Sequence, residues 1–215
     1  MPSYSLWVEP DFVHYASAVA FIGRTAKRHA SAPFFTPHVT LVGGVEFEGD
    51  DHALEWFCDH VEEFAGVTRA IETTQLTESR VVAELYPKSV ECGEKRHQCV
   101  YVKMEKTASL LQGFRKAWSI FGKEVTDADT TAFMPHMSLA YGVEDAGTRE
   151  AIADAARKEL SRWFDGSEVP HAKMSMHCLS LWATDTDDDS CDSWRRISWV
   201  EFGGDVDDSV HPTVE

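Results

Sequence analysis

Apolar and polar positions alternate from residue 3 to residue 8, where Tyr, Leu, Trp and Val predict a first strand. Glu9-Pro10-Asp11 ends it and supplies a helix cap. From Phe12 to Ala30 the period lengthens to that of a helix, with Phe12, Ala16, Val19 and Ala20 on one side. A loop bracketed by Pro33 and Pro37 leads into a β-rich strand over 38–42, closed by Gly43-Gly44. Residues 50–65 predict an amphipathic helix carrying Leu54, Phe57, Cys58, Val61 and Phe64, followed by strands at about 67–76, 80–86 and 98–104. The polar stretch Pro87–His97 reads as a loop.

The second half has the same rhythm. A helix over 107–121 carries Leu110, Leu111, Phe114 and Trp118, and a Thr-rich loop occupies 127–133. A strand over 135–142 ends in glycine, a helix runs over 145–164, and strands at about 171–183 and 194–202 complete the pattern. Between those last strands, Asp185-Thr186-Asp187-Asp188-Asp189-Ser190 reads as a solvated acidic turn; it lacks the glycine and distal Glu spacing of a calcium loop. Residues 1–203 are expected to form one bilobal domain, and 204–215 a flexible acidic tail.

One feature repeats across the halves. Pro37-His38-Val39-Thr40-Leu41 is echoed by Pro135-His136-Met137-Ser138-Leu139, each on a strand flanked by helices. This suggests two similar lobes with a cleft between them. On a strand, residues i and i+2 share a face. His38 therefore projects with Thr40, and His136 with Ser138, while Val39, Leu41, Met137 and Leu139 face the packing. One neutral imidazole can take a proton from water and one imidazolium can give a proton to a departing sugar oxygen. The two hydroxyls can meet non-bridging phosphate oxygens. Such a set opens a cyclic phosphodiester with no metal and no cofactor.

Composition narrows the partners. Hydrophobic residues make up 43% of 215, enough for a packed interior, and no apolar run approaches the roughly 20 residues of a bilayer span. The start lacks the basic and apolar regions of a signal peptide, and Asn is absent, so no N-glycosylation acceptor exists. A soluble cytoplasmic monomer without membrane partners is expected. The formal charge of -16 disfavours long nucleic acid, which needs a broad basic surface, but leaves room for a nucleotide-sized ligand. Of the five cysteines, Cys92 with Cys99 and Cys58 with Cys178 are the pairs that could bridge; the alternative is five reduced thiols. His29, His52, His60 and His97 are expected to be solvated, and His171, His177 and Cys178 lack the spacing of a zinc site. Trp118 and Trp163 read as core. Trp7 and Trp182 lie on strands that can border the cleft, either stacking on a base or filling the core.

The two motifs resemble those of the 2H phosphoesterase superfamily, named for paired His-x-Thr/Ser motifs on strands of a bilobal α+β fold. Tyr4-Ser5-Leu6-Trp7-Val8-Glu9-Pro10, Gln98-Cys99-Val100-Tyr101 and Pro135-His136-Met137-Ser138-Leu139-Ala140-Tyr141-Gly142 are similar to the cyclic phosphodiesterase branch of plants and fungi. The resemblance runs from residue 3 to about 183. It implies two antiparallel-sheet lobes with outer helices, His38 and His136 as catalytic residues, and Thr40, Ser138 and the lining Tyr141 as substrate contacts. It also implies a substrate class. That branch converts ADP-ribose 1'',2''-cyclic phosphate, a product of tRNA splicing, to ADP-ribose 1''-phosphate, and opens nucleoside 2',3'-cyclic phosphates to 2'-phosphates. The competing readings are a 2'-5' oligonucleotide or RNA-end phosphodiesterase of the same fold and a non-catalytic nucleotide-binding protein.

Overall fold

A computed structural model describes residues 2–77, 80–164 and 173–202, with side chains of 69–83 left aside. The strands are β1 (Ser3–Pro10), β2 (Val39–Glu46), β3 (Glu72–Thr77), β4 (Arg80–Leu85), β5 (Pro87–Cys92), β6 (Val100–Met104), β7 (His136–Ala140), β8 (Met174–Ala183) and β9 (Arg195–Glu201). The helices are α1 (Phe12–Arg28), α2 (Asp50–Asp59), α3 (Val61–Ile71), α4 (Ala108–Ile120), α5 (Asp127–Ala132) and α6 (Ala146–Glu159). Among the described residues no helix is long and apolar enough to cross a membrane. The expected tail and His171 lie outside the described residues.

The fold is α+β, as expected. All the strands pair antiparallel in the order β3-β4-β8-β1-β2-β7-β6-β5. β9 pairs with β8, which is long enough to hold β4 beside Met174–Met176 and β9 beside Cys178–Ala183. The lobes are unequal: β3, β4, β8, β9, β1 and β2 form one, β7, β6 and β5 the other. They join at the β2/β7 seam, where the ladder consists of the single pair Val39–Met137. Both residues are fully buried, so the apolar neighbours of the two histidines hold the lobes together.

Several elements depart from the sequence reading for physical reasons. Pro87–Cys92, expected as loop, is the outermost strand of its lobe, and edge strands carry Pro and charge because one side lacks a partner strand. The Thr-rich stretch expected as loop is the short helix α5, started by a capping box in which the Thr126 side chain accepts from Asp129 N and Asp129 accepts from Thr126 N. The helix expected over 50–65 is interrupted at His60, and the second segment continues to Ile71. Helix α1 has the expected period but another phase. Asp11 caps it, Ala18, Phe21, Ile22 and Thr25 are buried, and Phe12 is 83% exposed. Trp163 is core, whereas Trp118 is partly exposed beneath the Lys123 ammonium, 4.4 Å from its ring. All five cysteines are free thiols; the Cys99 thiol donates to the Arg96 carbonyl (3.0 Å).

Candidate active site

The seam builds the site. With Val39 opposite Met137, extending the antiparallel register one residue each way sets His38 opposite Ser138 and Thr40 opposite His136. The two motifs thus meet head to tail on one sheet face. They line a cavity of about 220 Å³ together with Ser5 and Trp7 of β1, Tyr141, the segment His97-Gln98, and Thr184, Thr186 and Trp194.

Each imidazole is oriented in the same way. His38 Nδ1 lies 2.6 Å from the Thr36 carbonyl oxygen, and His136 Nδ1 lies 2.9 Å from the Met134 carbonyl oxygen. A carbonyl can only accept, so both Nδ1 atoms carry hydrogen and both Nε2 atoms are left to gain or lose a proton. In each half the bond reaches back two residues across the proline. Burial pushes His38 down to about 3, against the pull of the Thr36 carbonyl and with the neighbouring His136 and His97 adding to the fall. Burial also lowers His136, offset by its bond to Met134.

The hydroxyls differ. Thr40 Oγ1 has no protein partner among the described residues, whereas Ser138 Oγ donates to the His97 carbonyl (3.0 Å). Burial pushes the ionisation of the neighbouring Tyr141 far up, so its hydroxyl keeps its proton. Tyr141 stacks on Phe35 (3.8 Å between ring centres) and is followed by Gly142, at φ +67, whose Cβ would fall 2.3 Å from the Ser31 carbonyl oxygen. Only glycine fits that turn.

Trp7 is 1% exposed. Its ring is parallel to His38 (3.4 Å, 4°) and stacked with Trp182 (4.5 Å, 24°) on its other side. Trp7 thus lies under His38 and is closed to a base. Trp182 does not line the cavity. It borders a second groove of about 470 Å³ with Phe12, Tyr15, Thr36, His177 and Arg196, and its Nε1 donates to Glu9 Oε1 (2.9 Å).

Two contributors were not expected. His97, read as solvated, lines the cavity from a 3-10 turn (Arg96–His97–Gln98), and its Nε2 is buried without a protein partner. Burial and the Arg96 charge lower its pKa. The acidic stretch forms one rim rather than a detached turn. Arg96 Nε meets Asp189 Oδ1 at 2.6 Å, and Asp188 accepts from the Ser190 and Ser193 backbone and side chains, which holds its carboxyl below the usual range. The signal for the rim was faint: Thr184 and Trp194 flank the acidic run and Thr186 lies within it.

Residues 1–209 match the family described as cyclic phosphodiesterase-like protein. The chain belongs to that family. This bears out the resemblance to 2H phosphoesterases. No curated protein sequence matched. Solved structures similar to the chain include E. coli LigT complexed with 3'-AMP (10% identity, 94% of this chain and 98% of that one, TM-score 0.47). The same LigT complexed with NADP+ gives 10% identity, coverage of 94% and 99%, and TM-score 0.49. A further phosphoesterase gives 12% identity, coverage of 94% and 99%, and TM-score 0.48.

Proposed function

We propose that this cyclic phosphodiesterase-like chain hydrolyses small cyclic phosphodiesters by two-histidine acid–base catalysis, without a metal or cofactor. The observation that supports the reading is one cavity lined by both imidazoles, each with Nδ1–H held by a carbonyl two residues back, which leaves its Nε2 for a ligand. A water oxygen attacks phosphorus as one neutral Nε2 takes its proton. The bond from phosphorus to one ring oxygen breaks, and the other Nε2, protonated, gives its hydrogen to that oxygen. Thr40 and Ser138 meet the non-bridging oxygens, the latter by turning its proton away from the His97 carbonyl.

The substrate class is ADP-ribose 1'',2''-cyclic phosphate or a nucleoside 2',3'-cyclic phosphate, acted on in the cytoplasm by a monomer. Size supports a small substrate, because the cavity accommodates a cyclic phosphate and its sugar while a base must lie outside. The outward side of Trp182, with Phe12 and Tyr15 along the second groove, is the platform for that base. None of the described cavity-lining residues is Lys or Arg, and the net charge is -16, which suits a nucleotide better than an RNA track. Because burial opposes charge on all three imidazoles of the cavity, the bound phosphate anion is what favours the acid form, its proton taken from solvent.

The test is turnover of 2',3'-cyclic AMP and of ADP-ribose 1'',2''-cyclic phosphate in EDTA. Ring opening to the 2'-phosphate and to the 1''-phosphate is expected despite chelation, with a bell-shaped pH dependence whose two limbs belong to the histidine pair. Activity abolished by EDTA and restored by a divalent ion, with a rate climbing steadily at high pH, would replace this mechanism with a metal hydroxide.

A further inference from the structure

Trp7 is almost wholly buried, yet it lines the cavity and stacks on His38. Its residue pairs across the sheet with Thr40 on one side and with Ser180 on the other. Ser180 is small and its hydroxyl donates to Glu9, which leaves room for the indole to stand upright between His38 and Trp182. The result is a three-ring stack, Trp182–Trp7–His38, ending in the cavity. The Trp7 and His38 rings lie within 4° of parallel at 3.4 Å, so the imidazole rests face-on against the indole.

We propose that Trp7 is a positioning residue for His38: its indole fixes the plane of the imidazole and, by presenting its π face, stabilises the imidazolium form of that ring. The activity readout of this proposal rests on the hydrolase reading above; the titration readout does not.

The groups around His38 show why an aromatic face matters there. From β7 it meets His136, and from the 3-10 turn His97, itself beside Arg96 and Asp189. Both histidines repel a proton on His38, and burial opposes it further. From the lead-in to β2 comes the Thr36 carbonyl, which favours the proton. From β1 comes Trp7, backed by Trp182, whose far edge is tied to Glu9, with Arg196 Nη1 3.5 Å from Glu9 Oε2. Glu9 is paired with Arg196 and also accepts from Ser180 and Trp182. Among the described residues the Thr36 carbonyl favours a charged His38 in the ring plane, and Trp7 is the group stacked on the ring face. A cation over an indole is held most strongly when both are desolvated, as here. Among the described residues His136 has no such stacked partner: Tyr101 meets it at 68° and 5.2 Å.

The proposal is tested by following the ring carbons of His38 and His136 by NMR across pH, with inorganic sulfate added as the anion, and by the pH dependence of kcat for 2',3'-cyclic AMP. Trp7→Leu is expected to lower the His38 midpoint by about one pH unit and Trp7→Phe by less, with His136 moving little. The limb of the rate profile that belongs to His38 moves to lower pH by the same amount while KM holds. Should Trp7→Leu fail to fold, wild-type protein made with mono-, di- and trifluorinated tryptophan keeps the shape and weakens the π face in steps. A graded fall of the His38 midpoint is then expected. A midpoint that stays put across that series, or rises, overturns the proposal. Absence of turnover in the wild type with a normal His38 shift would instead sink the hydrolase reading and leave this one standing.

Discussion

The two histidine strands are built alike at the ring nitrogen and unlike everywhere else. In both, a proline precedes the histidine and a carbonyl two residues back holds Nδ1 (2.6 Å for His38, 2.9 Å for His136). Around that shared device the surroundings diverge. His38 is 6% exposed and lies flat on Trp7, whereas His136 is more open and meets Tyr101 at an angle. Thr40 keeps its hydroxyl unengaged, while Ser138 donates to His97. The lesson is that orienting a histidine is a local matter, repeated in each half, while tuning its protonation depends on which neighbours the rest of the chain delivers.

The largest test of this comparison removes each ring. His38→Ala and His136→Ala should each reduce kcat for 2',3'-cyclic AMP about 10³-fold in a steady-state assay, since general acid–base residues contribute that order. A variant that retains wild-type kcat would show that its half has kept the geometry and lost the chemistry.

Next come the hydroxyls. Thr40→Ala should cost about 100-fold in kcat with little change in unfolding midpoint, because the lost donor meets only the ligand. Ser138→Ala should cost less than that in kcat but about 1–2 kcal/mol in urea unfolding, because it strands the His97 carbonyl. Equal kinetic and stability effects in both variants would erase the asymmetry.

Acid stability separates the rings themselves. A histidine held neutral in the folded state and titrating near 6.5 when unfolded contributes stability that is complete above pH 6.5. It is lost as pH falls from there toward the folded value, about 3 for His38. Each such ring adds a slope of about 1.4 kcal/mol per pH unit in that window. His38→Gln should therefore flatten the acid limb of urea stability between pH 6.5 and 4 more than His136→Gln does. The opposite ranking would place the deeper burial at His136.

The smallest effect is expected at the rim. Asp189→Asn weakens a pair in which Asp189 is largely exposed, so stability should change by less than about 1 kcal/mol and kcat by less than tenfold. A greater loss of kcat would mean that the acidic turn orders His97 and Gln98 for the reaction.

Much of this was legible along the chain. The alternation of β1 and the motif strands, the Asp11 cap and the period of α1 are local, and local backbone geometry produced them. What misled was also physical. Pro87-Lys88-Ser89-Val90-Glu91-Cys92 has the polarity of a loop because an edge strand presents one side to water, and Phe12 has the look of a core residue although it is largely exposed. His97 carried no signal, since its place in the cavity comes from a 3-10 turn pinned through the Arg96 carbonyl to Gly142 N and through Arg96 to Asp189.

By itself the sequence determined which side chains share a face of each strand, because a period of two is fixed by the backbone whatever else is nearby. It could therefore pair His38 with Thr40 and His136 with Ser138. Tertiary structure alone decided that those faces adjoin at Val39–Met137, that Trp7 lies beneath one ring and not beneath a base, and that a third imidazole closes the wall. Burial, stacking and charge act through space between residues far apart in the chain, and no run of neighbouring letters encodes them.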